Sequence, residues 1–307
     1  MIRGFVVRLL VAPLVLWCAF TAAAVFALPS LLLRAPLPER SDAGRAEVRA
    51  KLAGPGERWT VHAVRGAQGH PLEVWWLHRA APHGVAIILH GFGDDAWGSA
   101  PVANDLPELD AVVFTFRGRD RHPEVPSTLG AWERADVASV VRFLQTQSVA
   151  RSRMLFSALS QGAGVALLAM ADLEPHGGTF GGALLESPYQ DLADAARNHL
   201  RGTLGDWEWL ARPAEWLAMQ RAGKLARFDP ARVSPLMAAG RVHTRMALLA
   251  GDADTITPLP GVREIAATHP DLTVVHGATH MFAGAMYPGG YRAWALQHLR
   301  TWGFASR

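Results

Sequence analysis

The chain has 307 residues, of which half are hydrophobic and 19% are charged, so its composition excludes a disordered protein and fits one large globular domain. The formal net charge is only +3, and no run of Lys and Arg marks a nucleic-acid-binding surface, so no nucleic-acid partner is expected. The single cysteine, Cys18, excludes disulfide bonds within the chain and zinc sites built from cysteines. The 13 histidines form no HExxH motif, so no metal is predicted either.

The first element in chain order is an uncharged segment, residues 9–33, which follows Arg3 and Arg8 and precedes Arg34. About 20 apolar residues suffice to cross a bilayer, so this segment predicts a membrane anchor within residues 1–33. A secreted protein whose signal peptide is cleaved near Ala27 is the alternative, and a packed soluble helix is a third. Basic residues lie at both ends, so charge does not fix the orientation. By analogy with signal-anchors, we expect the globular part to lie outside the cytoplasm.

Strands and helices alternate through most of the remaining chain. Residues 34–58 are polar and contain Pro and Gly, which predicts a linker before a globular domain at residues 59–307. The runs "RWTVHAV" and "LEVWWLH" predict a β-hairpin, and continuous apolar runs such as "VAIIL" and "RMLFSAL" predict buried parallel strands. This alternation predicts an α/β fold: a mostly parallel central sheet with helices on both faces.

The stretch at about residues 190–241 interrupts the alternation and is predicted as an inserted helical cap. It carries Trp207, Trp209 and Trp216. These tryptophans either line an acyl pocket, or contact lipid, or simply pack onto the core. The sequence leaves these three interpretations open.

Ser160 lies between a predicted strand and a predicted helix, in the sequence Ala158-Leu159-Ser160-Gln161-Gly162. This is a variant of the G-x-S-x-G nucleophile elbow, in which a sharp turn exposes the serine oxygen. The positions two before and two after the serine must be small, because backbone segments nearly touch there; Ala158 and Gly162 meet that requirement. The alternative is an ordinary helix N-cap serine.

A nucleophilic serine needs a base and an acid that orients the base. Asp252 and Asp254 follow one predicted strand, and His276 and His280 follow the next. Catalytic groups gather at the carboxyl ends of parallel strands. Asp254 and His280 are favoured because they lie further into their loops. Asp252 is expected to brace the turn, and His276 to belong to its strand and point into packing.

An oxyanion intermediate needs two backbone N–H groups. One is expected from Gln161, the residue after the serine. The other is expected from Phe92, in the glycine-containing loop that follows the "VAIILH" strand. The alternative for that loop is a strand-to-helix turn without a catalytic role.

These motifs together resemble the α/β-hydrolase superfamily over roughly residues 59–305. The resemblance is carried by "HGFG", "ALSQG", "GDADTITP" and "HGATH". It is similar in particular to the membrane-anchored, BEM46-like serine hydrolases and to the serine aminopeptidase-type hydrolases. Two positions depart from the family pattern: Ala158 replaces the first Gly of the elbow, and Thr115 stands where an Asp is common.

The resemblance implies esterase, thioesterase, lipase or peptidase activity without a cofactor. We therefore expect a serine hydrolase that cleaves carboxylic esters or thioesters through Ser160, Asp254 and His280 and an acyl-enzyme intermediate. Its expected partners are a small acyl ester, a thioester or a short peptide, together with a membrane through residues 9–33. A serine peptidase or amidase of the same fold is one alternative, and a catalytically silent hydrolase fold that acts as a binding protein is another.

Overall fold

An eight-stranded sheet organises the part of the chain that the computed structural model describes, which is residues 2–34, 40–119, 122 and 124–306. Its strands are β1 (Arg58–Arg65), β2 (Pro71–His78), β3 (Val85–Leu89), β4 (Asp110–Val113), β5 (Met154–Leu159), β6 (Gly182–Glu186), β7 (Met246–Gly251) and β8 (Leu272–Val275). Their order across the sheet is β1-β2-β4-β3-β5-β6-β7-β8. The pairs β1–β2 and β2–β4 are antiparallel and the other pairs are parallel. The predicted hairpin and mostly parallel sheet are confirmed.

Helices cover both faces of this sheet. They are α1 (Ile2–Leu33), α2 (Asp42–Leu52), α3 (Ala96–Ser99), α4 (Glu133–Thr146), α5 (Gln161–Leu173), α6 (Leu192–Leu204), α7 (Glu208–Ala226), α8 (Pro235–Ala239), α9 (Leu259–Ala266), α10 (Ala283–Met286) and α11 (Gly290–Trp302). Helices α6, α7 and α8 lie in the chain between β6 and β7, where the sequence predicts the cap.

The central strands are apolar on both faces because both faces are covered. All five residues of β3 are buried. Alternate residues enter two separate cores: Val85, Ile87 and Leu89 pack on the side of α4 and α5, whereas Ala86 and Ile88 pack on the side of α11. A continuous apolar run is the sequence pattern that such a strand requires.

The predicted N-terminal apolar segment forms the helix α1. Within it, Ala12–Ser30 is long and apolar enough to span a membrane or to act as a signal sequence, with a mean hydropathy of 1.9. The helix also lies against α7 of the cap. The indole N–H of Trp17 donates a hydrogen bond to the Leu210 carbonyl at 2.9 Å.

The predicted linker contains a helix. Residues 35–39 of that linker lie outside the described residues, but Asp42–Leu52 form α2, whose N-terminus is capped by the Ser41 side chain. The last residue of α2, Leu52, is buried in the core on the α11 side of the sheet. The indole N–H of Trp59 donates to the Arg49 carbonyl at 3.1 Å. The sequence predicts a linker here because α2 is mostly polar, and only one edge of the helix packs against the core.

Candidate active site

Ser160 occupies a strained turn between β5 and α5. Its φ and ψ angles are 50° and −113°, a backbone conformation that residues with a side chain rarely adopt. The Ser160 amide donates to the Glu186 carbonyl at 2.9 Å, which fixes the turn against β6. A Cβ atom on Gly162 would lie only 2.4 Å from the Leu89 carbonyl oxygen. The Ser160 hydroxyl makes no capping hydrogen bond to α5, so the N-cap interpretation is wrong.

A chain of hydrogen bonds connects the serine with the two side chains favoured from the sequence. The Ser160 hydroxyl lies 2.8 Å from Nε2 of His280. Nδ1 of the same imidazole lies 2.8 Å from Oδ2 of Asp254. The structure thus brings together three residues that are up to 120 positions apart in the chain, at the carboxyl ends of β5, β7 and β8.

Asp254 is held as a buried carboxylate. Its Oδ1 accepts the backbone N–H groups of Ile256 and Thr257 at 2.9 and 2.8 Å, and its Oδ2 accepts the Thr257 hydroxyl at 2.7 Å. Burial raises the pKa of the Asp254 carboxyl, but its hydrogen bonds and charge interaction with His280, together with the bonds from Thr257, outweigh burial and lower that pKa below 3.8. The carboxylate therefore stays ionised and favours a proton on Nδ1 of His280.

The second aspartate–histidine pair lies at the surface. Strand β8 ends at Val275, and the His276 side chain is 96% exposed, so the expectation that it belongs to the strand and points into packing is wrong. Its Nδ1 lies 2.7 Å from Oδ2 of Asp252, whose Oδ1 accepts the Gly277 amide at 2.7 Å. Asp252 thus braces a turn, but the turn is the one after β8 and not the one at the end of its own strand, β7.

The loop after β3 lies beside the serine. A Cβ atom on Gly91 would be 3.5 Å from the Ser160 Cβ, and both Phe92 and Gln161 line the same pocket as Ser160. The Phe92 amide donates no hydrogen bond to another described residue. The Arg119 guanidinium lies 4.2 Å from the centre of the Phe92 ring, a cation–π contact, and burial lowers the pKa of Arg119 to about 10.

His90 holds this loop against the segment that follows β4. Its Nε2 accepts the Phe116 amide at 2.9 Å, and its Nδ1 lies 2.9 Å from the Gly91 carbonyl. An accepting Nε2 places the single proton on Nδ1, so the ring is neutral. Burial lowers the pKa of His90 from 6.5 to about 4.

A cavity of about 360 Å³ opens at the serine, within the size range of small-molecule sites. Its lining is mostly apolar and comes from the sheet edge, from cap helices α6 and α7, and from α1. The apolar lining residues are Leu28, Leu32, Phe92, Leu129, Leu192, Ala195, Ala196, Leu200, Ala218, Met219 and Ile256. His199, Glu215, Tyr189 and Thr257 add polar atoms.

Thr257 and two leucines of α1 belong to the site but were not found from the sequence. Thr257 bonds to Asp254 and also lies 3.3 Å from Nδ1 of His280. The spacing of an aspartate three residues before a threonine indicates such a side-chain-capped turn. The buried Glu186 carboxylate accepts the Gly284 amide at 2.9 Å, just after the His280 loop. No sequence signal points to the α1 leucines, Leu28 and Leu32, because they reach the cavity only through tertiary packing.

The tryptophans of the cap do not pack onto the core. Trp207, Trp209 and Trp216 are 68%, 59% and 63% exposed. The interpretation of these side chains as core packing is therefore wrong. Among the described residues, no group of three or more His, Cys, Asp or Glu side chains forms a metal site.

No protein-family model matches this chain, and neither does any curated protein sequence. Its fold matches that of an esterase from Pyrococcus furiosus, with a TM-score of 0.65 at 16% identity over 88% of this chain and 98% of the esterase. The chain has the α/β-hydrolase fold.

Two further solved structures share this fold. An esterase from Thermogutta terrifontis aligns with a TM-score of 0.58 at 18% identity, over 80% of this chain and 93% of its own. A membrane phospholipase A, a bacterial virulence factor, aligns with a TM-score of 0.57 at 16% identity, over 97% of this chain and all of its own. The part of the chain left out of this last alignment is shorter than α1, so the alignment includes part of α1.

Proposed function

We propose that the protein is a serine hydrolase that cleaves carboxylic esters or thioesters. The observation that carries the proposal is the hydrogen-bonded series Ser160–His280–Asp254, which opens onto an apolar cavity. The strained backbone at Ser160 and the buried carboxylate of Asp254 both destabilise the folded protein, and both are useful for nucleophilic catalysis. Esterases and a phospholipase are among the solved structures that share the fold, which supports the same chemistry.

In the proposed mechanism, His280 acts first as a base and then as an acid in each half-reaction. His280 Nε2 takes the Ser160 proton as the serine oxygen attacks the ester carbonyl carbon. Asp254 holds the imidazole and stabilises its protonated form. The Phe92 and Gln161 amides donate to the oxyanion. His280 then gives its proton to the leaving group, at the oxygen of an alcohol or at the sulfur of a thiol. In the second half-reaction water attacks the acyl-enzyme by the same steps, which releases the carboxylic acid and regenerates the free serine.

An acyl ester fits the cavity better than a peptide does. A peptide backbone brings N–H and C=O groups that must be hydrogen-bonded when they are buried. The cavity offers mostly apolar side chains, which suit a hydrocarbon chain. For this reason we propose ester or thioester hydrolysis rather than the peptidase alternative.

We also propose that α1 attaches the enzyme to a membrane. Leu16, Phe20 and Phe26 of α1 are more than half exposed. The exposed tryptophans of the cap lie on or beside α7, the helix against which α1 packs. Tryptophans are enriched where a protein meets the interface between lipid and water. The alignment with a membrane phospholipase A that includes part of α1 is consistent with this attachment.

The decisive experiment is labelling of the full chain with a fluorophosphonate probe, together with hydrolysis of p-nitrophenyl esters. Wild type is expected to react with the probe and to turn over ester. Ser160→Ala should do neither, while Ser152→Ala, at an exposed serine outside the cavity, should do both. Labelling or wild-type turnover in Ser160→Ala would exclude Ser160 as the nucleophile. An unreactive wild type would instead favour the silent binding-protein alternative.

A further inference from the structure

The N-terminal helix supplies part of the wall of the cavity that contains Ser160. Leu28 and Leu32 of α1 line this cavity opposite residues of the fold core and the cap. Residues four positions apart share one face of a helix, so the two leucines present a single apolar edge. An anchor that merely tethered the domain would have no need to reach the substrate site.

The middle of α1 is attached to the cap helix α7 by specific contacts. The Trp17 indole donates to the Leu210 carbonyl at 2.9 Å. Nine residues later, the Phe26 ring lies under the Arg221 guanidinium, 4.3 Å from the ring centre. The contacts advance in the same direction along both helices, so α1 and α7 run side by side. This pairing fixes the rotation of α1 about its own axis.

The end of α1 is attached to both the cap and the hydrolase core. Leu33 is buried against Ala222 and Ala226 of α7. Its carbonyl accepts the Ser127 amide at 2.9 Å, from the loop that also carries Leu129, another residue of the cavity lining. These contacts flank Leu28 and Leu32 and hold their shared face toward the cavity.

We infer that α1 is a specificity-determining part of the enzyme, in which Leu28 and Leu32 contact the acyl chain and set the chain length that is accepted. The inference rests on the proposed function, since it takes the cavity at Ser160 as the acyl site. A two-carbon acyl group is held near Ser160 and Gln161, whereas a longer chain extends along the apolar lining to α1. The substrate class is therefore an ester or thioester of a medium- or long-chain fatty acid.

The inference is tested by filling the cavity from the α1 side in the full chain, in detergent micelles. Leu28→Trp and Leu32→Trp add bulk at the proposed wall, and Leu16→Trp makes the same change at a position that is 70% exposed and outside the cavity. The measurement is kcat/KM on p-nitrophenyl acetate and p-nitrophenyl octanoate. Both wall variants should lose about tenfold or more on octanoate, while acetate turnover stays near wild type and shows that they are folded. Leu16→Trp should match wild type on both esters.

Two results would overturn the inference. One is an octanoate-to-acetate ratio that stays at the wild-type value in both wall variants. The other is an equal loss on both esters in all three variants, which indicates a general disturbance of α1. Absence of turnover by wild type on any ester would contradict the proposed function instead. In that case the binding of decanoate, measured by calorimetry, decides. Weaker binding by Leu28→Trp and Leu32→Trp alone supports contact of Leu28 and Leu32 with the acyl chain, and unchanged binding overturns it.

Discussion

His90 makes the stability of the loop beside Ser160 depend on pH. Its ring is 1% exposed and accepts the Phe116 amide through Nε2, so protonation would place an N–H group against another N–H group. The pKa of His90 is about 4 in the folded protein, against 6.5 for an ordinary histidine. Between these two values the unfolded chain binds more protons than the folded one. The contribution of His90 to the free energy of unfolding is therefore fully present above pH 6.5 and is lost as the pH falls toward 4.

The size of this effect follows from the shift. One pKa unit corresponds to about 1.4 kcal/mol, so a fall from 6.5 to about 4 corresponds to about 3 kcal/mol of unfolding free energy. That is a large part of the stability of an ordinary domain, which is about 5–15 kcal/mol. Other groups titrate in the same window, so the quantity to measure is the difference between wild type and a variant that lacks this imidazole.

The variant is His90→Gln, whose amide oxygen can still accept the Phe116 N–H but does not titrate. Urea unfolding, followed by tryptophan fluorescence between about pH 4 and about pH 7, gives the unfolding free energy of both proteins. The wild-type curve is expected to fall by about 3 kcal/mol more than the variant curve over this window. Parallel curves for the two proteins would refute the reasoning, because they would mean that His90 titrates alike in the folded and unfolded states.

Two further predictions concern the serine and the histidines. Gly162→Ala places a Cβ atom 2.4 Å from the Leu89 carbonyl oxygen, so the elbow must shift and ester turnover should fall by about 100-fold, whereas Ala158→Gly, measured in the same assay, should stay active. His280→Ala should abolish fluorophosphonate labelling, while His276→Ala should leave it intact because that ring is 96% exposed and bonded to Asp252. Equal labelling of the two histidine variants would contradict the assignment of His280.

The sheet and the central residues of the site could be predicted because their signals are local. Both faces of β3 and β5 are covered, and this requirement appears directly as continuous apolar runs. Parallel strands bring their carboxyl ends to one edge, so polar residues after β7 and β8 had to lie near the turn after β5. Asp254 could likewise be preferred to Asp252 as the partner of His280 because it lies two residues further from the end of β7.

The remaining features depend on contacts between distant segments. His276 is exposed because β8 ends at Val275, one residue before the strand end expected from the sequence, and element boundaries are weakly encoded. The helix α2 contributes a single buried residue, Leu52, so its polar sequence resembles a linker. The tryptophans of the cap have an apolar character that core packing and lipid contact would both explain, and only their exposure separates the two.

The packing of α1 connects the fate of the N-terminus with the shape of the cavity at Ser160. Cleavage near Ala27 would remove Trp17 and Phe26, which hold α1 to α7, and would leave Leu28 and Leu32 on a single helical turn attached at Leu33. So short a turn holds its helical face toward the cavity less firmly than the complete helix does, because helices of a few residues are only marginally stable in water. A retained helix preserves the cavity wall and the exposed apolar face together. We therefore propose that α1 is retained, so that the cavity at Ser160 keeps the part of its wall that Leu28 and Leu32 supply.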